Sequence, residues 1–264
     1  MWRIRRFTIR WVNESPGGLK EMTEALGGLE GKAFDFESDY GREYDLFIRQ
    51  IIPGYDSFFE ICLAMFSGVI GENGKVLVAG CGTGAELDCF ARNKPGWKMT
   101  GVDLSGQMVD IARKKLEASA REIGFKPEIE WIVGDVARLN HQGEFDAIAC
   151  NLVLHFIPGL AGKLEFLKAL RSLLRPGGIL ILMDACWEKK QAFHTWMRGW
   201  WGFASARGLS ARKWASFRED FERGLHPLPK ADQEKMVGLA GFEEVFPFWS
   251  SLHHLAVVAR NPFA

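Results

Sequence analysis

Tyrosine is scarce in this chain: Tyr40, Tyr44 and Tyr55 are the only three among 264 residues, against ten Trp and twenty Phe. Neither sign of charge is in excess, because 33 Lys and Arg balance 33 Asp and Glu. A neutral chain lacks the electrostatic footprint that nucleic acid needs, so no nucleic-acid partner is expected. No run reaches the about 18 apolar residues of a membrane span; the stretch from Phe58 to Ile70 is shorter and carries Glu60. CxxC pairs are missing too. Cys62, Cys81, Cys89, Cys150 and Cys186 are odd in number and mostly in apolar or Gly-rich surroundings. That is the pattern of reduced thiols in a cytoplasmic protein, with no metal site.

What is present is an ordinary globular composition, 47% hydrophobic and 25% charged, which excludes disorder and fits one large or two small domains. Residues 1–39 read as a mobile N-terminal arm, with Arg3, Arg5, Arg6 and Arg10 in an acid-free start and a Gly-rich lead-in behind it. The start is short and nearly Ser-free, so a frayed or edge-pairing arm is expected rather than a transit peptide. Residues 40–74 are helical in period and interrupted at Pro53-Gly54. They read as cap helices, with Pro53 suited to open the second one.

Residues 75–185 alternate strand and helix. Val76 to Ala79 is a buried-type strand closed by Gly80-Cys81-Gly82-Thr83-Gly84, and a helix Ala85–Asn93 follows. The next strand ends at Asp103; Ser105 caps a helix to Ile123, and Gly124 stops it. Strands at Ile129–Val133, Phe145–Asn151 and Ile179–Met183 complete the run, the last preceded by an amphipathic helix and a Pro176-Gly177-Gly178 turn. Such alternation specifies a doubly wound, mostly parallel α/β sheet. Residues 186–230 break the rhythm as a helical insertion with nine Lys and Arg against four acids. Residues 231–264 then supply a helix and two closely joined, hence antiparallel, strands. His253-His254 reads as part of an edge strand with no ligand geometry.

In an open α/β sheet ligands bind beyond the carboxyl ends of the strands. Those ends carry Gly80–Gly84, Asp103, Asp135, Asn151 and Asp184 in order. The glycines let bare N–H groups approach a ligand at a helix N-terminus. Asp103 suits two charged hydrogen bonds to a ribose diol. Asp135 suits an exocyclic adenine amine, with the Val136 N–H on a ring nitrogen, and Asn151 the remaining polar end. Each alone has a bland reading as a turn or an N-cap; four consecutive strand ends in this order describe a nucleoside site.

The segments VLVAGCGTG (76–84), GVDLS (101–105), VGDV (133–136), FDAIACNLVLHFI (145–157) and LRPGGILILMDA (174–185) resemble class I S-adenosylmethionine-dependent methyltransferases. The resemblance implies a Rossmann-like seven-stranded sheet, mostly parallel with a C-terminal antiparallel strand, and S-adenosyl-L-methionine as cofactor. It places Gly80, Cys81 and Gly82 at the methionine moiety, Asp103 on the ribose, and Asp135 and Val136 on the adenine, with Thr83 and Leu104 as further cofactor contacts. Val78 stands where the family often has an acid. Gly80-x-Gly82-x-x-Ala85 also satisfies a dinucleotide fingerprint, but Asp135, the Pro-Gly-Gly turn and the antiparallel pair speak against an NAD(P) oxidoreductase.

IRQIIPGYD (48–56), NLVLHF (151–156) and ARGLS (206–210) with Arg218 beyond resemble a narrower group of small-molecule methyltransferases and carboxy-S-adenosylmethionine synthases. That resemblance implies Tyr55 and Asn151 at cofactor contacts and Arg218 where the synthases hold an extra carboxylate. Leu209 and His155 depart from the synthase residues, and Trp is denser. An ordinary methyl donor with a small aromatic or apolar acceptor is therefore preferred, with the synthase as alternative and a non-catalytic cofactor binder as another. Tyr40, Tyr44, Trp196 and Trp200 are expected in an aromatic lid over the acceptor, although Trp at helical spacing also simply buries a helix. His155 is the candidate general base and an acceptor contact. A homodimer stays open.

Overall fold

The structure, a computed structural model, describes residues 40–124, 126–186 and 190–263. Two helices, α1 (Tyr40–Ile51) and α2 (Tyr55–Ser67), precede an alternating run. That run is β1 (Lys75–Ala79), α3 (Ala85–Asn93), β2 (Lys98–Asp103), α4 (Gly106–Ile123), β3 (Glu128–Val133), β4 (Phe145–Asn151), α5 (Leu160–Leu173) and β5 (Leu174–Ala185). Helices α6 (Lys190–Ala206), α7 (Ala211–Gly224) and α8 (Lys230–Leu239) follow, then β6 (Glu243–Ser251) and β7 (His254–Arg260). The residues of the N-terminal arm expected at 1–39 lie outside the described set.

The seven strands form one sheet in the order β3-β2-β1-β4-β5-β7-β6. Strands β3, β2, β1, β4 and β5 pair in parallel, and β7 runs antiparallel to both β5 and β6. The order reverses at β1/β4, the crevice in which doubly wound sheets bind ligands. Val76 to Ala79 of β1 are buried on both faces, as a central parallel strand covered by helices requires. One apolar layer joins α1, α2 and α3 to residues of α6 and α7, including Phe58, Phe90, Trp97, Trp200 and Phe221. The other packs α5 and α8 on the opposite face through Phe166, Leu170 and Val237. No helix among the described residues is long and apolar enough to cross a membrane.

Local chemistry sets the boundaries. Ser105 caps α4 by accepting the Met108 N–H at 3.1 Å, and Gly124 ends it in the left-handed region at φ 83°. Pro53 does not open α2, contrary to expectation: α2 begins at Tyr55, after Gly54 at φ 75°. The Pro176-Gly177-Gly178 turn lies inside β5, where the register with β4 shifts between Phe145 and Ala147. A second correction concerns His253-His254. His254 opens β7, an interior strand paired on both sides, and His253 lies in the turn before it; both are buried, and β6 is the edge.

Candidate active site

A cavity of about 480 Å³ opens at the carboxyl ends of β1, β2 and β4. Gly80 and Gly82 form its floor at φ 73° and 48°. A Cβ at Gly82 would project into open space, while one at Gly80 would collide with Val153. The first leaves room for a ligand against bare backbone; the second keeps the loop tight against β4. At Gly84 a Cβ would come within 2.8 Å of the Ala112 side chain, so α3 packs closely on α4.

Asp103 is fixed at the end of β2. One oxygen accepts the Gly82 N–H at 2.8 Å and the other the Ser105 N–H at 2.9 Å. Leu104, Ser105 and Met108 continue the cavity wall toward Asp135 and Val136. Asp135 accepts the Ala137 N–H at 3.0 Å, so it caps a short turn and lines the cavity together.

A small adjoining lobe is lined by Tyr44, Tyr55, Cys81, Thr83, Glu86 and Asn151. Asn151 donates its amide to Glu86 and accepts the Met183 N–H at 3.0 Å, so it orients a buried acid. Burial raises the Glu86 carboxyl to about 7, with the Asn151 hydrogen bond acting against it. Glu86 was not expected. In sequence it is merely an acid in a helix first turn, a common solvated position. Burial likewise pushes the Tyr55 hydroxyl well up, assisted by the charges of Glu86 and Asp45. Asp45 of α1 accepts from the Thr83 hydroxyl at 2.5 Å and pairs with Lys115 of α4, fastening α1 across the Gly-rich loop.

The other end of the cavity is apolar. Ile48, Ile51 and Ile52 face Trp200, Phe217 and Phe221 across it. The Trp200 indole N–H donates to the Ile51 carbonyl at 2.6 Å, and its ring meets Phe217 and Phe221 edge-on at 5.2 and 5.3 Å. His155 and His254 bring polar atoms to this end. His155 is 5% exposed; its backbone N–H donates to Asp184 at 2.8 Å, and its ring Nδ1 meets the other Asp184 oxygen. Its carbonyl accepts the His226 N–H at 2.7 Å. Buried Lys163 donates to the Leu154 carbonyl; desolvation lowers its ammonium to about 8, against the opposing pull of Asp184.

Two expected acceptor contacts, Trp196 and Arg218, fall outside the cavity lining. Tyr40 begins α1, but its side chain lies outside the described residues. Trp196 is absent from the cavity lining; its ring lies 5.6 Å from that of His253, tilted to it, and under the Lys230 ammonium at 4.5 Å. Arg218 is exposed on α7, where Phe217 and Phe221 instead face the cavity. One helical position separates Arg218 from the wall, about 100° of rotation.

Residues 77–180 match a family described as a methyltransferase domain. The carboxy-S-adenosyl-L-methionine synthase of Campylobacter hominis is 26% identical over 223 residues, covering 83% of this chain and 92% of that protein. The synthase of Pseudomonas syringae pv. tomato is 26% identical over 230 residues, covering 86% and 92%. In fold, the chain is similar to a Burkholderia thailandensis 1,6-didemethyltoxoflavin-N1-methyltransferase solved with its acceptor and S-adenosylhomocysteine. That match has a TM-score of 0.56 at 16% identity, over 96% of this chain and 93% of the other.

Proposed function

We infer that the chain is a class I S-adenosylmethionine-dependent methyltransferase, and from that premise we propose that it methylates a small, apolar or aromatic acceptor. The observation that carries this is the continuity of the cavity. It runs from the glycine floor and Asp103 into a chamber walled by Ile51, Trp200, Phe217 and Phe221.

The residues fit S-adenosylmethionine. Open space over Gly82 admits a ligand against the backbone, and Asp103, held by two N–H groups, keeps lone pairs for a ribose diol. Asp135 and Val136 flank the adenine end, with Tyr55, Cys81, Thr83 and Asn151 around the amino-acid end. Glu86 supplies there the acid that Val78 does not. When bound, the cofactor supplies an electrophilic sulfonium methyl. The chain's own contribution is alignment and exclusion of water by apolar walls. His155 takes the acceptor proton where the acceptor still holds one at neutral pH. Its Nδ1 is engaged by Asp184, which leaves Nε2 for that proton.

A second reading, a carboxy-S-adenosylmethionine synthase, is favoured by the names of the curated relatives. Against it, no Lys or Arg lines the cavity among the described residues, so an added carboxylate there would lack a cation. Mass spectrometry of the ligand that co-purifies with the protein separates the two. Ordinary S-adenosylmethionine or S-adenosylhomocysteine is expected; a carboxylated sulfonium would reverse the preference. An acceptor screen read by S-adenosylhomocysteine release tests the acceptor class, and turnover confined to polyanionic or macromolecular acceptors would reject it.

A further inference from the structure

We infer that the apolar chamber is built for a neutral, planar acceptor bearing two proton-donating groups, one presented to His155 and the second to His254. This rests on the methyl-acceptor reading above and names the substrate class for it.

His254 opens β7 and pairs in register with Ala185, directly after Asp184. Both His155 and His254 line the cavity. The two rings are fixed in the same sense. The His254 Nδ1 lies 3.3 Å from the Ser251 carbonyl, which can only accept, so Nδ1 carries the proton. Burial, the largest cause, holds this imidazole down to about 3. It is therefore neutral at pH 7, and Nε2 bears a lone pair. At His155 the Asp184 carboxylate engages Nδ1, and in the neutral ring that the base role above requires, Nε2 bears the lone pair there too.

Two lone pairs in an apolar chamber select against anions and against molecules without donors. A carboxylate would lose its hydration with no cation among the described lining residues to replace it. A neutral molecule with one O–H or N–H would satisfy one imidazole and leave the other dry. A flat acceptor suits a wall that includes Trp200, Phe217 and Phe221, because aromatic rings pack well against one another in offset or edge-on arrangements.

The test uses the full chain saturated with S-adenosylhomocysteine. Isothermal titration compares dihydroxynaphthalene isomers that differ in O–O separation with 2-naphthol and 2-naphthoate. At least one diol should bind about tenfold or more tightly than 2-naphthol, and the carboxylate most weakly. In His254→Phe the diol and 2-naphthol should converge while S-adenosylhomocysteine affinity is retained. His254→Gln, which keeps an acceptor oxygen, should preserve part of the difference and stands in if the Phe variant does not fold. Tightest binding of 2-naphthoate, no naphthol binding at all, or an unchanged ratio in His254→Phe would each overturn the assignment. A diol preference without methyl transfer to any diol supports the two-donor chamber and removes the methyl-acceptor reading. Methyl transfer confined to 2-naphthoate does the reverse.

Discussion

Asp184 holds His155 at two points: one carboxylate oxygen accepts the His155 backbone N–H at 2.8 Å, and the other meets its ring Nδ1. The same carboxylate also accepts the Ala185 N–H at 2.7 Å, so its position is set by the end of β5. A side chain held in this way presents one defined tautomer to the chamber.

For an acceptor that holds its proton at neutral pH, His155→Ala should lower kcat by about a hundredfold or more, with S-adenosylmethionine affinity unchanged. Asp184→Asn should lower kcat in the same direction, because an amide can leave the imidazole in the other tautomer. Initial rates beside cofactor titrations check both. Equal turnover of parent and His155→Ala would remove the base role.

Asp103→Ala should weaken S-adenosylmethionine binding by at least about tenfold. Charged hydrogen bonds to a ribose are worth about 1.5–3 kcal/mol each, and the Gly82 and Ser105 N–H groups lose their acceptor as well. Calorimetric titration reads this directly, and undiminished affinity would reject the ribose contact.

The Glu86 carboxyl makes stability pH-dependent. Its folded pKa, about 7, lies above the ordinary 4.5. The folded state therefore keeps a proton that the unfolded chain gives up, and stability falls as pH rises from about 4.5 to about 7 before levelling. His253 and His254, lowered to about 4 and about 3 by burial, act oppositely. They retain their stabilisation above 6.5 and lose it as pH falls. The difference between Glu86→Gln and parent isolates the carboxyl: the variant's Tm advantage should grow across pH 4.5 to 7. An advantage constant with pH would contradict the assignment.

Trp200→Phe should cost about 1–3 kcal/mol, since it leaves the Ile51 carbonyl without the indole N–H in a buried place. Trp200→Ala should cost about 3–5 kcal/mol. Denaturant unfolding measures both, and a neutral Trp200→Phe would mean that water takes over that carbonyl.

The sheet was legible because its signals are local. Short apolar runs, Ser105 and Gly124 at the ends of α4, and polar residues at successive strand ends each state their role within a few positions. The strand-end set Gly80, Gly82, Asp103, Asp135 and Asn151 does line one continuous site. What escaped depends on long-range register. Strand β7 inserts between β5 and β6 and carries His254 into the chamber, which nothing in the adjacent sequence reveals. Glu86 faces inward only because Asn151, 65 positions away, meets it. Phe217 and Arg218 are neighbours in sequence, and only the rotation of α7 decides which one faces the cavity.

Helix α1 is held by Asp45 to Thr83 and Lys115 and by the Ile51 carbonyl to Trp200, with Glu43 paired to Lys213 and Gln50 donating to the Arg207 carbonyl besides. The first catch lies over the donor lobe and the second over the chamber. One helix therefore borders both lobes, with Tyr44 lining the two of them. A ligand that braces α1 from the chamber side should therefore steady the donor lobe as well, and inhibition by the two products should be mutually reinforcing.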